Sequence, residues 1–126
     1  MVLVDSSVWI EYFKGNESAL PLSKLIDSNN LCINDLILAE LLPMIQCKNE
    51  VDLKGLLLAI EKIELVIDWH QIIVLQTQNL RNGIHKVGIS DLIIAQNAME
   101  HDLELYTFDK HFFLMSELHS LKLFNT

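Results

Sequence analysis

Short apolar runs separated by longer amphipathic stretches set the strongest limit on how this chain can fold. Residues 1–4, Met-Val-Leu-Val, form an uninterrupted β-rich run, the pattern of a strand buried on both faces. Further runs of this kind stand at 31–33, 65–67, 103–107 and 121–124. Helical patterns fill the spaces between them, at 8–13, 18–28, 36–47, 50–62, 69–81 and 91–100. Ser6 and Ser7 are placed to cap the first helix, which Gly15 closes, and Asn34 or Asp35 to cap the third. Ser90 is placed to cap the helix that Asp91 opens, and Asp109 to start a short one after 103–107. Strands alternating with helices predict an α/β domain whose parallel sheet is covered by helices on both faces. Repeats, low-complexity tracts and linkers are absent, so residues 1–126 read as one domain.

Composition narrows the function classes. Of the 126 residues, 51% are hydrophobic, which excludes disorder and leaves apolar surface for a partner or a second copy. Seventeen acids against nine Lys plus Arg give a net charge of −8. Such a chain binds nucleic acid poorly unless metal ions and a local basic rim offset the repulsion of phosphates. Cys32 and Cys47 lie singly in apolar segments and read as small buried hydrophobes in a reducing compartment. Asp5 interrupts the N-terminal run, and no run approaches the roughly 18 apolar residues of a membrane span. A cytoplasmic protein without a membrane segment is expected.

Four carboxylates stand where such a fold would gather them. Asp5 ends the first strand, Glu40 lies inside an apolar helix, Asp91 opens another helix, and Asp109 follows the strand at 103–107. None has a cationic partner at local spacing, and an ionised carboxylate beside a core is costly unless it is paired or bound to metal. In open parallel sheets, ligands bind beyond the carboxyl ends of the strands. Asp5 and Asp109 follow strands, Asp91 starts a helix, and Glu40 is about one and a half turns into its helix, so all four can face that edge. Oxygen donors without Cys or His suit Mg²⁺ or Mn²⁺. Without a cation the four repel one another, so at least one pKa should rise and their titrations should be coupled.

At these residues the chain resembles a known family. LVDSSVWIEYF at 3–13, NDLILAELL at 34–42 and GISDLIIAQNAMEHDLELYTFDKHF at 88–112, in that order and spacing, are similar to PIN-domain nucleases, in particular the small VapC-type toxins of bacterial toxin–antitoxin pairs. The resemblance implies a single-domain three-layer α/β/α sandwich with a central parallel sheet. It also implies Mg²⁺- or Mn²⁺-dependent cleavage of RNA by an endoribonuclease and a cognate antitoxin, while the apolar excess fits a homodimer built on helices near the N-terminus or the middle of the chain. By the same resemblance Asp5, Glu40, Asp91 and Asp109 are the catalytic acids. Asp5 and Asp91 are the direct metal ligands, and Ser6 and Thr107 support the acids by hydrogen bonding. Pro43, three residues past Glu40, removes a helical hydrogen bond to Ala39 and is expected to kink the helix.

Each of these residues has a plainer reading. Asp5 could end a strand, Asp91 could complement a helix dipole, Glu40 could snorkel from a buried helix, and Asp109 could act only as a cap. Lys14, Arg81, Lys86 and Lys110 are the cations available for a phosphate-binding rim. His85 and His111 fall nearer the mouth of such a site but read first as surface or packing residues, and the stripe of Trp9, Tyr12 and Phe13 reads as core or dimer surface. A phosphatase with an Asp nucleophile would want an acid where Ser7 stands. A receiver domain would want paired acids after the first strand. The remaining alternative is a catalytically silent PIN-like scaffold that binds RNA or protein, and the presence of all four acids argues against it.

Overall fold

The computed structural model describes residues 1–125. Strands β1 (Val2–Val4), β2 (Leu31–Cys32), β3 (Glu104–Tyr106) and β4 (Lys122–Leu123) form one sheet in the order β2-β1-β3-β4. Every pairing is parallel, with Leu3 opposite both Cys32 and Leu105, and Leu105 opposite Leu123. All four carboxyl ends therefore lie on one edge. Parallel neighbours cannot be joined by tight turns, and helices make the crossovers. These are α1 (Ser6–Phe13), α2 (Pro21–Asp27), α3 (Asp35–Cys47), α4 (Val51–Ala59), α5 (Trp69–Arg81), α6 (Ile89–Glu100) and α7 (Lys110–Leu118). The architecture is the expected α/β sandwich. No helix among the described residues is long and apolar enough to cross a membrane.

One core joins the sheet to the helices. β1 is buried throughout, as its unbroken apolar run requires, and Trp9, Leu22, Ile37, Leu57, Ile94 and Phe112 pack around it. Helix α6 is buried from Leu92 to Ala98, including Gln96 and Asn97. Their amides satisfy neighbouring backbone and side-chain groups, as buried polar atoms must. Gln96 donates to the Asp68 carbonyl (3.0 Å) and accepts from the Asp68 amide (3.1 Å). Asn97 donates to the Glu64 carbonyl and accepts from Asn34 Nδ2, both at 2.9 Å. Asn34 Oδ1 in turn caps α3 by accepting from the Ile37 amide at 2.9 Å. Of the two residues placed to cap α3, Asn34 is the one that does.

Several local expectations are corrected. Residues 65–67 form no strand. The chain instead meets β2 once, at an Ile33–Lys62 bridge, where the Ile33 amide donates to Glu61 and the Ile63 amide to Ile33, both at 2.9 Å. Half-buried Ile63, Leu65 and Ile67 alternate with exposed Glu64, Val66 and Asp68 as a strand's would. However, the backbone beyond Ile33 has already turned into α3 and offers nothing to pair with. The same departure ends α4 at Ala59 rather than 62. The helix expected over 18–28 splits into a 3-10 turn at Glu17–Ala19 and α2, because Pro21, preset for a first helical position, starts the new helix.

The serines were also misplaced as caps. Asp5, not a serine, is the N-cap residue of α1, and Ser6 and Ser7 are its first two helical residues. Gly88 precedes α6, so Ser90 and Asp91 both lie in its first turn. Asp109 is the N-cap of α7, its Oδ1 accepting from the His111 amide at 2.9 Å. α3 continues as one helix through Pro43 to Cys47. Ala39, whose carbonyl loses its helical donor to Pro43, is exposed, so water can take that place.

Candidate metal centre

The sheet register builds the centre. Val4 pairs with Tyr106, so the next residues of the two central strands, Asp5 and Thr107, emerge side by side at the carboxyl edge. The Asp5 amide still donates to the Tyr106 carbonyl at 2.9 Å, which fixes the Asp5 backbone to the sheet. Asp5 is 4% exposed and Thr107 is buried beside it.

Two hydroxyls hold the Asp5 carboxylate. Ser7 Oγ donates to Asp5 Oδ2 at 2.8 Å and Thr107 Oγ1 donates to the same oxygen at 2.9 Å. The Phe108 amide donates to Ser7 Oγ, and the Asp109 amide donates to Thr107 Oγ1, both at 3.0 Å. Each hydroxyl has a single proton, already spent on Asp5, so the 3.4 Å approach of Ser7 to Thr107 is a contact rather than a third bond. Backbone amides thus fix the hydroxyls, the hydroxyls fix Oδ2, and Oδ1 takes no side-chain hydrogen bond among the described residues. Thr107 thus hydrogen-bonds one of the four acids. Ser6 does not reach Asp5 but donates to Glu40 Oε1 across a long 3.4 Å. Ser7, weighed only as a helix cap, is the second supporting hydroxyl.

The four acids share one electrostatic field. Asp91, half-buried, has its carboxyl pushed up to about 6, first by burial, then by the charges of Asp109 and Asp5, while His111 pulls the other way. Glu40 is exposed as a residue, yet neighbours crowd its carboxyl. Its pKa rises through that desolvation and through repulsion by Asp5 and Asp91, against the Ser6 hydrogen bond. The expected rise and coupling are both present, and Glu40 reaches the cluster despite Pro43.

The tightest donor group is not the pair Asp5 and Asp91. It is Asp91, Asp109 and His111, each offering one ligand atom with all three within 4.8 Å of one another. His111, near the mouth but expected as a surface or packing residue, joins the group because α6 and α7 meet there. The only local sign was its position two residues after Asp109. The donor set, carboxylate oxygens and one imidazole, fits a divalent cation, whose charge would relieve the repulsion that raises Asp91 and Glu40.

The cations stand further out. Lys14 pairs with Glu11 at 3.6 Å and lines a groove of about 410 Å³ that runs past Glu40 between α1, α3 and α4. Arg81 ends α5, Lys86 lies in the loop before α6 with φ 65°, and Lys110 opens α7; all are exposed. Among the described residues, none of the four forms an ion pair with the four acids.

Comparison with known proteins fits this fold. The family profile described as PIN domain matches residues 2–118. No curated protein matches the chain. Among solved structures, VapBC2 from Rickettsia felis bound to a DNA fragment from their promoter aligns at a TM-score of 0.77 and 23% identity, over 100% of this chain and 99% of that one. FitAcB from Neisseria gonorrhoeae aligns at 0.77 and 21%, over 99% and 97%. PAE2754 from Pyrobaculum aerophilum aligns at 0.58 and 18%, over 90% and 84%. At these identities the structures speak for the fold, and the profile, spanning nearly the whole chain, speaks for the family. This chain belongs to the PIN domain family.

Proposed function

We propose that this protein is a divalent-metal-dependent endoribonuclease, the toxin of a toxin–antitoxin pair, acting in the cytoplasm. The observation that carries the reading is the convergence of Asp5, Glu40, Asp91 and Asp109 at the carboxyl edge of the sheet, where burial and then the charges of Asp109 and Asp5 raise Asp91. Asp5 and Asp91 hold the ion, with Asp109 beside them, and Ser7 and Thr107 keep the Asp5 carboxylate in one orientation. Mg²⁺ or Mn²⁺ bound there supplies charge neutralisation at a scissile phosphate and an activated water. Glu40, with its raised pKa, is suited to take a proton from a water that it and Asp109 orient for in-line attack. Cleavage then leaves a 5′-phosphate and a 3′-hydroxyl. A single-stranded or looped RNA segment, whose backbone can be splayed onto the acids, suits the site better than a duplex. Lys14, Arg81, Lys86 and Lys110 give a net-negative chain its few contacts to the RNA backbone.

The test is cleavage of RNA by purified protein with Mg²⁺, with Mn²⁺ and with chelator, alongside Asp5→Asn and Asp91→Asn. Metal-dependent cleavage lost in both folded variants is expected. Undiminished cleavage by either would sink the reading, and tight metal binding without any cleavage would favour a silent scaffold.

Two partners follow. The groove past Glu40 is lined by Ile10, Phe13, Met44 and Leu53, with Glu50 at its margin. Its apolar floor, with Glu40 and Glu50 beside Lys14 and Lys48 on the rim, suits an antitoxin segment that carries apolar anchors and a basic residue directed at Glu40. Helix α5 suits a second copy of the chain. Trp69, Ile73 and Leu80 are 58%, 64% and 53% exposed at helical spacing along one stripe. α5 is also the one α-helix among those described without an Asp or Glu, so it is the face on which like-charged copies repel least. Ile73→Asp should shift the protein from dimer to monomer in sedimentation, and an unchanged dimer would exclude this face.

A further inference from the structure

We propose that His111, through Nδ1, is a protein ligand of the ion in this centre alongside Asp91 and Asp109, and that the centre therefore takes a first-row transition-metal cation such as Mn²⁺ in preference to Mg²⁺. This rests on the reading that the acidic cleft holds a divalent ion, and it changes both the ligand set and the metal.

The spacing suits coordination. His111 Nδ1 stands 3.2 Å from Asp109 Oδ1. Adjacent positions of an octahedron are separated by about 3 Å when metal–ligand bonds are about 2.1 Å, and opposite positions by about 4.2 Å. A nitrogen and an oxygen 3.2 Å apart thus match one octahedral edge. The third donor, on Asp91, lies within 4.8 Å of the other two, so binding draws it inward by at most about 1.8 Å to an adjacent position, within the reach of a side-chain rotation.

The ring is also placed by the fold rather than by the ion. His111 is the second residue of α7, its amide bound to Asp109 Oδ1 at 2.9 Å, so both donors rise from the same helical turn. That amide occupies one lone-pair site of Oδ1 and leaves the other for an ion. His111 Nε2 makes no hydrogen bond among the described residues that would commit the proton to Nδ1. With its proton on Nε2, the neutral ring offers the Nδ1 lone pair to an ion shared with Asp91 and Asp109. Mg²⁺ takes oxygen donors and keeps its waters, whereas imidazole nitrogen suits first-row transition metals. One imidazole among carboxylates tilts the site toward the latter.

The full chain is titrated with Mn²⁺ and with Mg²⁺, and the Mn²⁺-loaded protein is measured by pulsed electron paramagnetic resonance. The proposal expects nitrogen modulation from a directly bound imidazole in the wild type, replaced by the ¹⁵N pattern in protein labelled with ¹⁵N-histidine. It expects His111→Gln to lose that modulation and to bind Mn²⁺ about tenfold more weakly, with Mg²⁺ affinity little changed. Mn²⁺ bound in the wild type without nitrogen modulation overturns the ligand assignment and leaves the acidic metal site standing. Failure of the wild type to bind Mn²⁺ or Mg²⁺ at all overturns both. The labelled wild-type spectrum decides the question even if the variant misfolds.

Discussion

Replacing Asp91 with Asn should stabilise the metal-free protein near neutral pH, although it removes a proposed ligand. The Asp91 carboxyl is raised from an ordinary value of 3.8 to about 6. A group raised on folding binds its proton more tightly in the native state. Its favourable contribution is complete below the unfolded pKa and is lost as pH climbs through the native one. The loss therefore falls between about pH 4 and pH 6, and at pH 7.5 the ionised form carries the whole penalty. A displacement from 3.8 to about 6 corresponds to about 3 kcal/mol. Because Asp91 is only half-buried, solvent screening reduces this to roughly 1–1.5 kcal/mol. Asparagine keeps the shape without the charge, and it also removes one of the repulsions acting on Glu40. Urea unfolding in chelator should give Asp91→Asn a midpoint above wild type at pH 7.5 and close to it at pH 4. Saturating divalent metal should reverse the order, because only the wild type gains binding energy. A variant less stable than wild type at pH 7.5 in chelator, or a difference that ignores pH, would refute the account of Asp91 as a charge crowded by its neighbours.

Thr107→Val removes a donor to Asp5 and the acceptor of the Asp109 amide, and should cost about 1–3 kcal/mol in urea unfolding. By loosening Asp5 it should also weaken Mn²⁺ binding roughly 10- to 100-fold by calorimetry, with Thr107→Ser restoring both. Asn34→Ala removes the cap of α3 and leaves Asn97 Oδ1 buried without its donor, for a combined cost of about 2–4 kcal/mol in the same unfolding assay.

The acids were legible because each breaks a local pattern: a charge at the end of a buried strand or within an apolar helix shows without knowledge of the fold. The alternation of strands and helices gave the layers in the same way. What escaped the sequence depends on where distant segments stop. Residues 65–67 have a strand's alternation, but pairing requires β2 to continue, and β2 ends at Cys32 before the chain turns into α3. Ser6 and Ser7 are equivalent in the sequence. Only the register of Val4 with Tyr106, which sets Thr107 beside Asp5, makes Ser7 the one that completes the carboxylate's support. His111 joins Asp91 because α6 and α7 start at the same edge, a meeting that no local window contains.

The brevity of the outer strands bears on how this chain behaves when crowded. β2 and β4 each contribute two residues, so the sheet's two open margins together present little unpaired backbone for a neighbouring molecule to extend. The β2 side is shortened further, since Ile33 is already engaged by the 61–63 segment on its flank. Long exposed margins are the usual templates for edge-to-edge aggregation. A chain that is half hydrophobic thus guards its most adhesive surface by truncation, and its exposed apolar side chains lie mainly on helices, where no unpaired backbone stands beside them.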